Sequence, residues 1–486
     1  MTQQEIYERA RKSRDARFDG QFYIGVRTTG IYCRPICPAN TPKRENVTFF
    51  PTAAAAGEAG YRPCLRCRPE CAPGTPAWSG TSTTVRRGLR LIANGALDDS
   101  NVEALATRLG VTSRHLRRLF TRHLGASPLA VAHTQRLHFA KQLIDQTRLP
   151  MQDIAVAAGY GSVRRFNDSF ARAYGRAPRE LRRARDAADA ASPDTALSVR
   201  LPVRMPFDRA SLLAFFAARA VPGVEAIDGG RYVRSVTIDG RPGAIELRPQ
   251  DGGVLLTMHG VGTQSIFPMV QRCREVFDLD APVREIADVL SRDARLARLL
   301  DSNPGVRVPG AWDGFELAVR AVLGQQISVK AATTIAGRLA RTYGEPITIN
   351  GCPGLSHLFP APERLARARF NNTGVTRSRA ATLRRLAQAV VDGSLSFDAA
   401  QEPAAFRASL LAIAGIGEWT ADYIAMRALK NPDAFPAADL GLLRAFDRPG
   451  RTRLRPAELE EISQRWRPWR AYAALLLWGS APGSGG

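Results

Sequence analysis

The sequence has no apolar run that approaches the ~20 residues needed to cross a bilayer. Its longest apolar stretches, near residues 212–218 and 471–478, are far shorter. The first fifteen residues carry charges of both signs and no apolar core, so we expect no secretory signal. Together these absences predict a cytoplasmic protein without a membrane partner.

Lysine is also scarce, since only five of the 486 residues are lysine. The chain is nevertheless strongly basic, with 68 lysines and arginines against 45 aspartates and glutamates, a net charge of +23. GC-rich coding would explain arginine in place of lysine, but it does not explain the surplus over acids. Such a surplus favours a polyanionic partner, nucleic acid before anionic lipid.

Cysteine is limited to seven residues, an odd number, which argues against a disulfide framework. Cys33 and Cys37 form a C-x3-C pair, and Cys64 and Cys67 form a C-x2-C pair about 30 residues later. Four thiolates suit tetrahedral zinc at about 2.3 Å in a reducing compartment. Cys71 has no partner and is not expected to be a ligand. The alternative is a zinc ion that only holds a small domain together.

Length and composition divide the chain. At roughly 100–200 residues per domain, a chain of 486 residues predicts three or four domains. Linkers are expected at residues 72–84 and 182–198, with a weaker break near 279–283 and a disordered tail at 480–486. The four predicted domains are residues 1–76, 83–185, 198–282 and 283–480.

The apolar periodicity predicts a multidomain, mainly α fold. The first domain is short on helical periodicity and is expected to be a small α+β zinc domain, whereas the second is all helical. The third is expected to be α+β and the fourth all α, with short Gly/Pro turns. In the third domain we expect strands at 232–238, 244–249 and 253–259, flanked by helices at 209–219 and 265–277.

The residues around the cysteine pairs carry a resemblance. The strings RTTGIYCRPICPA, RENVTFF and AGYRPCLRCRP resemble the N-terminal domain of the Ada adaptive-response family, over roughly residues 5–72. The resemblance implies that Cys33 is both a zinc ligand and a sacrificial nucleophile that takes a methyl group from a methyl phosphotriester in DNA. Zinc would keep the thiol deprotonated, and the thiolate is the nucleophile.

Methyl transfer would also change the charge of the zinc site. Four thiolates around zinc give a formal charge of −2, and methylation of one sulfur leaves −1. Arg27, Arg34 and Arg44 could then hold a DNA phosphate more tightly. Repair would therefore itself raise the affinity for DNA.

Two helix-turn-helix patterns lie in the second domain. Residues 101–124 have Gly110 in the turn, and residues 151–174 have Gly159 and Gly161 there. The string IAVAAGYGSVRRFNDSFARAYGRAPRELRR resembles the AraC-type DNA-binding domain. The alternative is a plain helical bundle with a basic face.

The resemblance places two recognition helices in successive major grooves. They are expected to begin near Ser113, a plausible cap, and near Ser162. The polar residues expected to meet bases or phosphates are Arg114, His115, Arg118, Arg164, Arg165 and Asn167.

A glycine pair marks the C-terminal half. Gly415 and Gly417, in LLAIAGIGEWTADYIAMR, allow a tight hairpin whose N–H groups face a phosphate. With W-T-A next and Asp439 downstream, the pattern resembles the helix-hairpin-helix glycosylase superfamily. From the residues alone, Asp439 could instead be a helix N-cap, and the tryptophans could be core residues.

A closer resemblance is to the AlkA family of 3-methyladenine DNA glycosylases. It rests on LAVRAVLGQQISVKAA, the hairpin, FPAADLGL and RWRPWRAYAALLLW, with FFAARAVPGVEAIDGGRYVRS resembling the family's N-terminal α+β domain. The resemblance implies that Asp439 is the catalytic carboxylate. The residues implied for the base pocket are Trp419, Tyr423 and Trp478, and those implied for DNA contact include Gln325 and Gln326. Gln326 would be the wedge that fills the gap of a flipped nucleotide, where the family often has Leu.

These resemblances predict a protein for repair of, and response to, DNA alkylation. The C-terminal half would hydrolyse alkylated purines of the 3-methyladenine type from DNA, and methylation of Cys33 would switch on transcription. One alternative is a damage-responsive regulator with a catalytically silent glycosylase fold. Another is a repair enzyme whose helix-turn-helix units only add non-specific affinity. The expected partners are damaged and promoter double-stranded DNA, with RNA polymerase as a further candidate.

The residues also predict what the protein lacks. One zinc ion is expected and no iron–sulfur cluster, because no cysteine follows Cys352. Trp419 stands where lyase-competent relatives carry the Lys that forms a Schiff base, so a monofunctional glycosylase is expected. None of Cys71, Cys273 and Cys352 lies in a P-C-H-R type motif, which predicts no repair of O6-methylguanine.

Overall fold

The computed structural model describes most of the chain in two compact units. Unit 1 contains residues 1–204, 251–257 and 261–271, and unit 2 contains the rest. The described residues are 2–73, 83–98, 100–182, 196–238, 240–447 and 453–480. Residues 481–486 of the tail predicted at 480–486 lie outside them, as do most residues of both predicted linkers. Within the described residues, every helix is too short or too polar to span a bilayer.

Unit 1 begins with a helix and a four-stranded sheet. The strands are β1 (Tyr23–Val26), β2 (Ile31–Cys33), β3 (Val47–Phe50) and β4 (Arg62–Pro63), in the order β3-β1-β2-β4. Strand β1 pairs antiparallel with β2 and β3, while β2 and β4 are parallel. Phe22 and Ile24 are buried in the core beneath this sheet. The parallel pair brings both cysteine pairs to one edge, because Cys33 ends β2 and Cys64 follows β4.

The rest of unit 1 is mainly helical, as the periodicity predicts. Its helices, with those of the first region, are α1 (Gln3–Ser13), α2 (Ala53–Glu58), α3 (Thr83–Ala93), α4 (Val102–Arg108), α5 (Ser113–Leu124), α6 (Pro128–Gln146), α7 (Met151–Ala157) and α8 (Val163–Tyr174), and strand β5 (Ala196–Pro202) follows. Helix α5 begins at Ser113, but its N-cap is Thr112, whose hydroxyl accepts from the His115 N–H. Ser162 caps α8 in the same way. The turn glycines Gly110 and Gly159 have φ of +71° and +76°, a conformation that favours glycine.

Helix α6 contacts the N-terminal segment that contains the four paired cysteines (residues 2–73, here called the zinc region) through buried charged side chains. Arg68 pairs with Glu70 and Asp145, and Lys141 lies 2.5 Å from Asp145 and 3.8 Å from Glu70. The side chains of Glu70, Lys141 and Asp145 are at most 3% exposed. Since a buried charge is costly unless it is paired, these four residues join the sheet region and α6 into one packed body.

The elements after β5 belong to unit 2, apart from residues 251–257 and 261–271, and comprise strands and a bundle of helices. In chain order, the elements after β5 are α9 (Arg209–Ala217), β6 (Glu225–Asp228), β7 (Arg231–Ile238), β8 (Arg241–Gln250), β9 (Gly253–His259), α10 (Ile266–Val276), α11 (Val283–Leu290), α12 (Ala294–Ser302), α13 (Gly314–Leu323), α14 (Val329–Tyr343), α15 (Pro362–Ala366), α16 (Arg377–Val391), α17 (Pro403–Leu411), α18 (Glu418–Arg427), α19 (Leu440–Arg444), α20 (Pro456–Ser463) and α21 (Arg470–Ser480). Strand β7 pairs antiparallel with β6 and β8. The three strands and two flanking helices predicted from sequence are present, with ends shifted by a few residues.

Buried ion pairs fix helix α13 against this sheet. Arg234 on β7 donates to Glu316 on α13 at 2.7 Å, and Arg320 on α13 lies 2.9 Å from Glu225 on β6. Both pairs are buried or nearly so, so water competes weakly for them. The end of α13, where Gln325 and Gln326 follow, is therefore held in a defined position.

Candidate metal centre and candidate base pocket

The four paired cysteines meet at the edge of the unit 1 sheet. One sulfur from each of Cys33, Cys37, Cys64 and Cys67 lies within 4.8 Å of all the others. Cys37 is half-buried and the other three are buried. Cys71, which was not expected to be a ligand, is not part of this group. The sequence prediction of a four-cysteine site is thus reproduced by the geometry.

The donor set suits a zinc ion. The pKa of Cys33 is raised, chiefly by its hydrogen bond with Cys37. The pKa of Cys64 is lowered, chiefly by its hydrogen bond with Cys33. Because the four sulfurs lie within 4.8 Å of one another, four thiolates would repel, and a cation is needed to compensate their charge. Four thiolates at this spacing are a donor set that zinc prefers. The Arg34 N–H also donates to the Cys67 sulfur at 3.3 Å.

The three arginines predicted to hold phosphate have different surroundings. The Arg34 guanidinium is largely buried, donates to Asp19 at 2.8 Å and donates to the Cys67 carbonyl at 3.0 Å. Its side chain therefore braces the segment that contains Cys67, and its charge is paired with Asp19. Arg44 is partly exposed, lies 3.6 Å from Glu8 and donates to the Val47 carbonyl. Arg27 is exposed, with no side-chain partner among the described residues.

The predicted DNA-reading residues lie at the start of α5 and α8. Buried Leu116 and Phe120 anchor α5, and buried Phe166 and Phe170 anchor α8. On the opposite faces, His115 is half-buried, and the exposed residues are Arg114, Arg118, Arg164, Arg165 and Asn167. Since Arg118 lies 3.0 Å from His115 Nδ1, these two side chains orient each other. Both helices thus present polar N-terminal turns, as groove-reading helices do.

In unit 2, Asp439 accepts hydrogen bonds from two tryptophans. Trp419 Nε1 donates to its Oδ2 at 2.7 Å, and Trp478 Nε1 donates to its Oδ1 at 2.8 Å. The Leu442 N–H also donates to Oδ1 at 3.0 Å, because Asp439 is the N-cap of α19. Asp439 is thus both a helix N-cap and an acceptor of two indole N–H groups. Three N–H donors fix the carboxylate at a partly exposed position.

Aromatic rings surround this carboxylate. The rings of Trp419 and Tyr423 are stacked at 5.5 Å with an angle of 10°, and Trp478 lies edge-on to Tyr423 at 6.3 Å. The face of such a ring is electron-rich and attracts a cation. Gly441 allows this arrangement, since an added Cβ would lie 3.2 Å from the Trp478 ring.

Arg427 contacts Tyr423, one of the three aromatic residues beside Asp439 (here called the aromatic wall), and the sequence pattern did not reveal this contact. Arg427 donates to the Tyr423 hydroxyl at 2.7 Å and to the carbonyls of Pro309 and Gly310. Burial raises the pKa of Tyr423, but the charges of Arg427 and Arg219 outweigh it and leave the pKa below its ordinary value. The phenol is thereby held as a fixed hydrogen-bond acceptor.

The glycine hairpin lies between α17 and α18. Gly415 and Gly417 are exposed, and Gly415 has a φ of +100°. An added Cβ on Gly415 would lie 2.0 Å from the Thr382 hydroxyl, so only glycine fits. Gln325 Nε2 donates to the Gly415 carbonyl and to Thr420 Oγ1, each at 3.0 Å. Gln325 therefore fastens the end of α13 to the hairpin.

Gln326 differs from its neighbour. Its side chain is exposed, and its φ of 54° lies in the left-handed region that non-glycine residues rarely adopt. Strained backbone of this kind is concentrated at functional sites. The two glutamines thus present different geometries, one side chain bonded to the hairpin and the other exposed.

Family comparisons cover nearly the whole chain. Family models match as follows: metal binding domain of Ada, residues 7–70; helix-turn-helix domain, 105–184; AlkA N-terminal domain, 198–313; and HhH-GPD superfamily base excision DNA repair protein, 319–471. The probable bifunctional transcriptional activator/DNA repair enzyme AlkA of Mycobacterium tuberculosis is 44% identical over 473 residues, 97% of this chain and 95% of that protein.

Two further comparisons concern the C-terminal half. DNA-3-methyladenine glycosylase 2 of Escherichia coli is 33% identical over 280 residues, 56% of this chain and 94% of that protein. The solved structure of the 3-methyladenine DNA glycosylase from Archaeoglobus fulgidus has a TM-score of 0.50, covering 57% of this chain and 96% of that one. At 21% identity, this likeness shows the fold alone.

Proposed function

The chain belongs to the family of bifunctional transcriptional activator/DNA repair enzymes to which its Mycobacterium tuberculosis relative also belongs, and on that premise we propose a function for each site. The C-terminal half is a DNA-3-methyladenine glycosylase, and the N-terminal half takes methyl groups from DNA and activates transcription. The observation that carries the first assignment is the Asp439 carboxylate, held by two indole N–H groups beside an aromatic wall. The four-cysteine group carries the second.

Excision begins when the damaged base leaves the DNA stack. Extruding a nucleotide costs a few kcal/mol, and least for a damaged base. Gln326 would fill the gap, while the N–H groups of Gly415 and Gly417 bind a backbone phosphate. Alkylation at N3 or N7 makes a purine cationic, so the rings of Trp419 and Tyr423 attract it by cation–π interaction.

Asp439 then stabilises the sugar. As the glycosidic bond breaks, positive charge develops on the sugar, and a carboxylate fixed by three donors stabilises it without reorganisation. The same carboxylate can orient the attacking water. The products are a free alkylated base and an abasic site. We propose a monofunctional glycosylase without an iron–sulfur cluster, because Trp419 replaces the Lys of lyase-competent relatives.

Methyl transfer uses Cys33. A zinc ion held by Cys33, Cys37, Cys64 and Cys67, one ion at this site, would keep the thiols deprotonated. The Cys33 sulfur forms a bond to the methyl carbon as the methyl–oxygen bond of the phosphotriester breaks, and the phosphodiester anion leaves. No proton is exchanged and no reductant is needed. The thioether is not reversed, so the reaction occurs once per molecule.

The helix-turn-helix helices connect repair to transcription. Loss of one negative charge at the cysteine site raises the affinity of this region for DNA phosphate. Helices α5 and α8 then read promoter DNA in successive major grooves, and the bound protein contacts RNA polymerase in the cytoplasm. We propose that the chain is divided for these tasks into residues 1–76, 83–185, 198–282 and 283–480. The matches at 7–70 and 105–184 lie within the first two of these, whereas the match at 198–313 extends past the third.

Two measurements on the full chain test these assignments. Base release from a duplex with one 3-methyladenine-type lesion should occur with wild type and with Asp447→Asn, a matched control of an exposed acid eight residues from the site. It should be lost with Asp439→Asn. A wild-type chain that binds this DNA without releasing base would instead indicate a silent glycosylase fold. Intact mass after exposure to methylated DNA should rise by one methyl group, mapped to Cys33.

A further inference from the structure

A cleft of about 560 Å³ lies beside the cysteine site in unit 1. Its wall includes Cys33, Cys37 and Cys64 from the zinc region and residues 173–176 from the C-terminal end of α8. The cleft is therefore built by both parts of unit 1. Six arginines line it and, among the described residues, no aspartate or glutamate does: Arg11, Arg14, Arg34, Arg62, Arg66 and Arg176.

Three of these arginines already have ion-pair or hydrogen-bond partners within the protein. Arg11 pairs with Glu8, and Arg34 pairs with Asp19. Arg14 donates to the Ala39 carbonyl at 3.1 Å. The contacts of Arg14 and Arg34 hold the loop that contains Cys37, and all three side chains have little remaining capacity to bind a ligand.

The other three arginines are exposed and available. Among the described residues, Arg62, Arg66 and Arg176 have no acidic partner and no side-chain hydrogen bond. Their backbones are nevertheless fixed, since Arg62 is paired in β4 and Arg176 follows the left-handed Gly175 that caps α8. An ideal Cβ on Gly175 would lie 3.6 Å from Arg62, so the two segments approach closely.

The charge of the substrate decides what this cleft can bind. A methyl phosphotriester is neutral, so guanidinium groups beside Cys33 gain little from the methylated phosphate itself. Its two neighbouring phosphodiesters each carry a full negative charge, and guanidinium matches phosphate geometry well. Three exposed guanidinium groups around Cys33 therefore suit a short segment of DNA backbone in which a neutral methyl phosphotriester lies between two negatively charged phosphodiesters.

We propose that Arg62, Arg66 and Arg176 bind the phosphodiesters that flank the methylated phosphate, and that the second helix-turn-helix unit is therefore part of the methyl-acceptor site. This inference rests on the proposed methyl transfer to Cys33. It gives α8 two tasks, because its first turn faces promoter DNA while its last residues form a wall of the acceptor cleft. Arg176 is then a substrate-binding residue contributed from outside the zinc region.

The test measures single-turnover methyl transfer by the full chain at several salt concentrations. The probe is a duplex with one methyl phosphotriester. Arg176→Ala should slow transfer about fivefold to tenfold at low salt and reduce the slope of log rate against log salt by about one. Arg179→Ala, an exposed arginine three residues on that does not line the cleft, is the matched control and should behave as wild type. Arg176→Lys should recover most of the slope.

A second probe tests which of the flanking phosphodiesters Arg176 binds. It carries an uncharged methylphosphonate in place of one phosphodiester next to the triester, on either side in turn. At one of these positions the neutral group should slow wild type but leave Arg176→Ala unchanged. Zinc content and circular dichroism equal to wild type establish that the variant is folded.

The possible outcomes separate this inference from the function on which it rests. If wild type accepts no methyl group, the proposed function fails. If wild type accepts methyl but Arg176→Ala equals Arg179→Ala, or remains fully sensitive to both neutral neighbours, the inference is overturned and the zinc region alone binds the backbone.

Discussion

Replacing Asp439 by asparagine tests whether its charge, rather than its position, drives excision. Oδ1 of Asp439 accepts from Trp478 Nε1 and the Leu442 N–H, while Oδ2 accepts from Trp419 Nε1 at 2.7 Å. An asparagine would keep its oxygen where two donors meet. Its NH2 group would then face the indole N–H of Trp419, donor against donor.

The structure gives this substitution two separable costs. Loss of the charge should lower excision about 100-fold or more. The unsatisfied donor should lower the free energy of unfolding by about 1–3 kcal/mol. Trp419→Phe removes the clashing N–H, so Asp439→Asn with Trp419→Phe should regain stability while excision stays lost. Trp419→Phe alone keeps the charge and two donors, and should cost about tenfold, the equivalent of one hydrogen bond.

The assay is single-turnover base release from a duplex with one methylated purine, with DNA affinity and thermal unfolding measured in parallel. DNA affinity should be retained, because the hairpin and the basic surface are unchanged. Unimpaired excision by Asp439→Asn would refute the assignment. Recovery of excision in the double variant would show that orientation of the pocket, and not the carboxylate charge, limits the rate.

The remaining predictions concern the cysteines and the lyase step. Cys64→Ala should release zinc and unfold the first domain, because zinc binding supplies about 10–16 kcal/mol in finger peptides; zinc content and proteolysis of the full chain measure this, and a folded, metal-free domain would contradict it. Cys33→Ser should abolish methyl uptake by mass spectrometry and the gain in promoter affinity, yet leave base excision intact; methyl mapped to Cys71 or Cys273 would contradict the assignment. Borohydride should trap no covalent adduct during excision, since Trp419 cannot form a Schiff base. Finally, incubation with O6-methylguanine DNA should leave that lesion in place, and its clearance would show a site that the cysteine motifs do not reveal.

Local patterns predicted much of this fold. The i, i+3, i+4 apolar spacing located the helices that start at Ser113 and Val163, and alternation located strands β7, β8 and β9. The cap of α5 was misplaced by one residue, from Thr112 to Ser113, because either hydroxyl satisfies the sequence rule. The cysteine pairs were informative because ligand spacing is itself a local pattern.

Contacts between distant segments were not predictable in the same way. Gln325 bonds the Gly415 carbonyl, 90 residues away, and Arg34 is bound to Asp19 beneath the metal loop. The sequence shows that Arg34 is a cation near cysteines, but only the packing shows that its guanidinium is paired with Asp19. Arg176 illustrates the reverse case, since nothing in the helix-turn-helix pattern connects it with Cys33.

The buried charges between the zinc region and α6 have a consequence for how such proteins evolve by recombination. Arg68 and Glu70 lie before the boundary near residue 76, whereas Lys141 and Asp145 lie after it. A crossover at that boundary with an unrelated helix-turn-helix gene would remove Lys141 and Asp145 together, so that Arg68 and Glu70 keep only each other as partners. Chimaeras should therefore be more stable when the incoming segment brings both charges of α6. The zinc region and the regulator would then be inherited as one block, while the glycosylase half could be exchanged without disturbing this network.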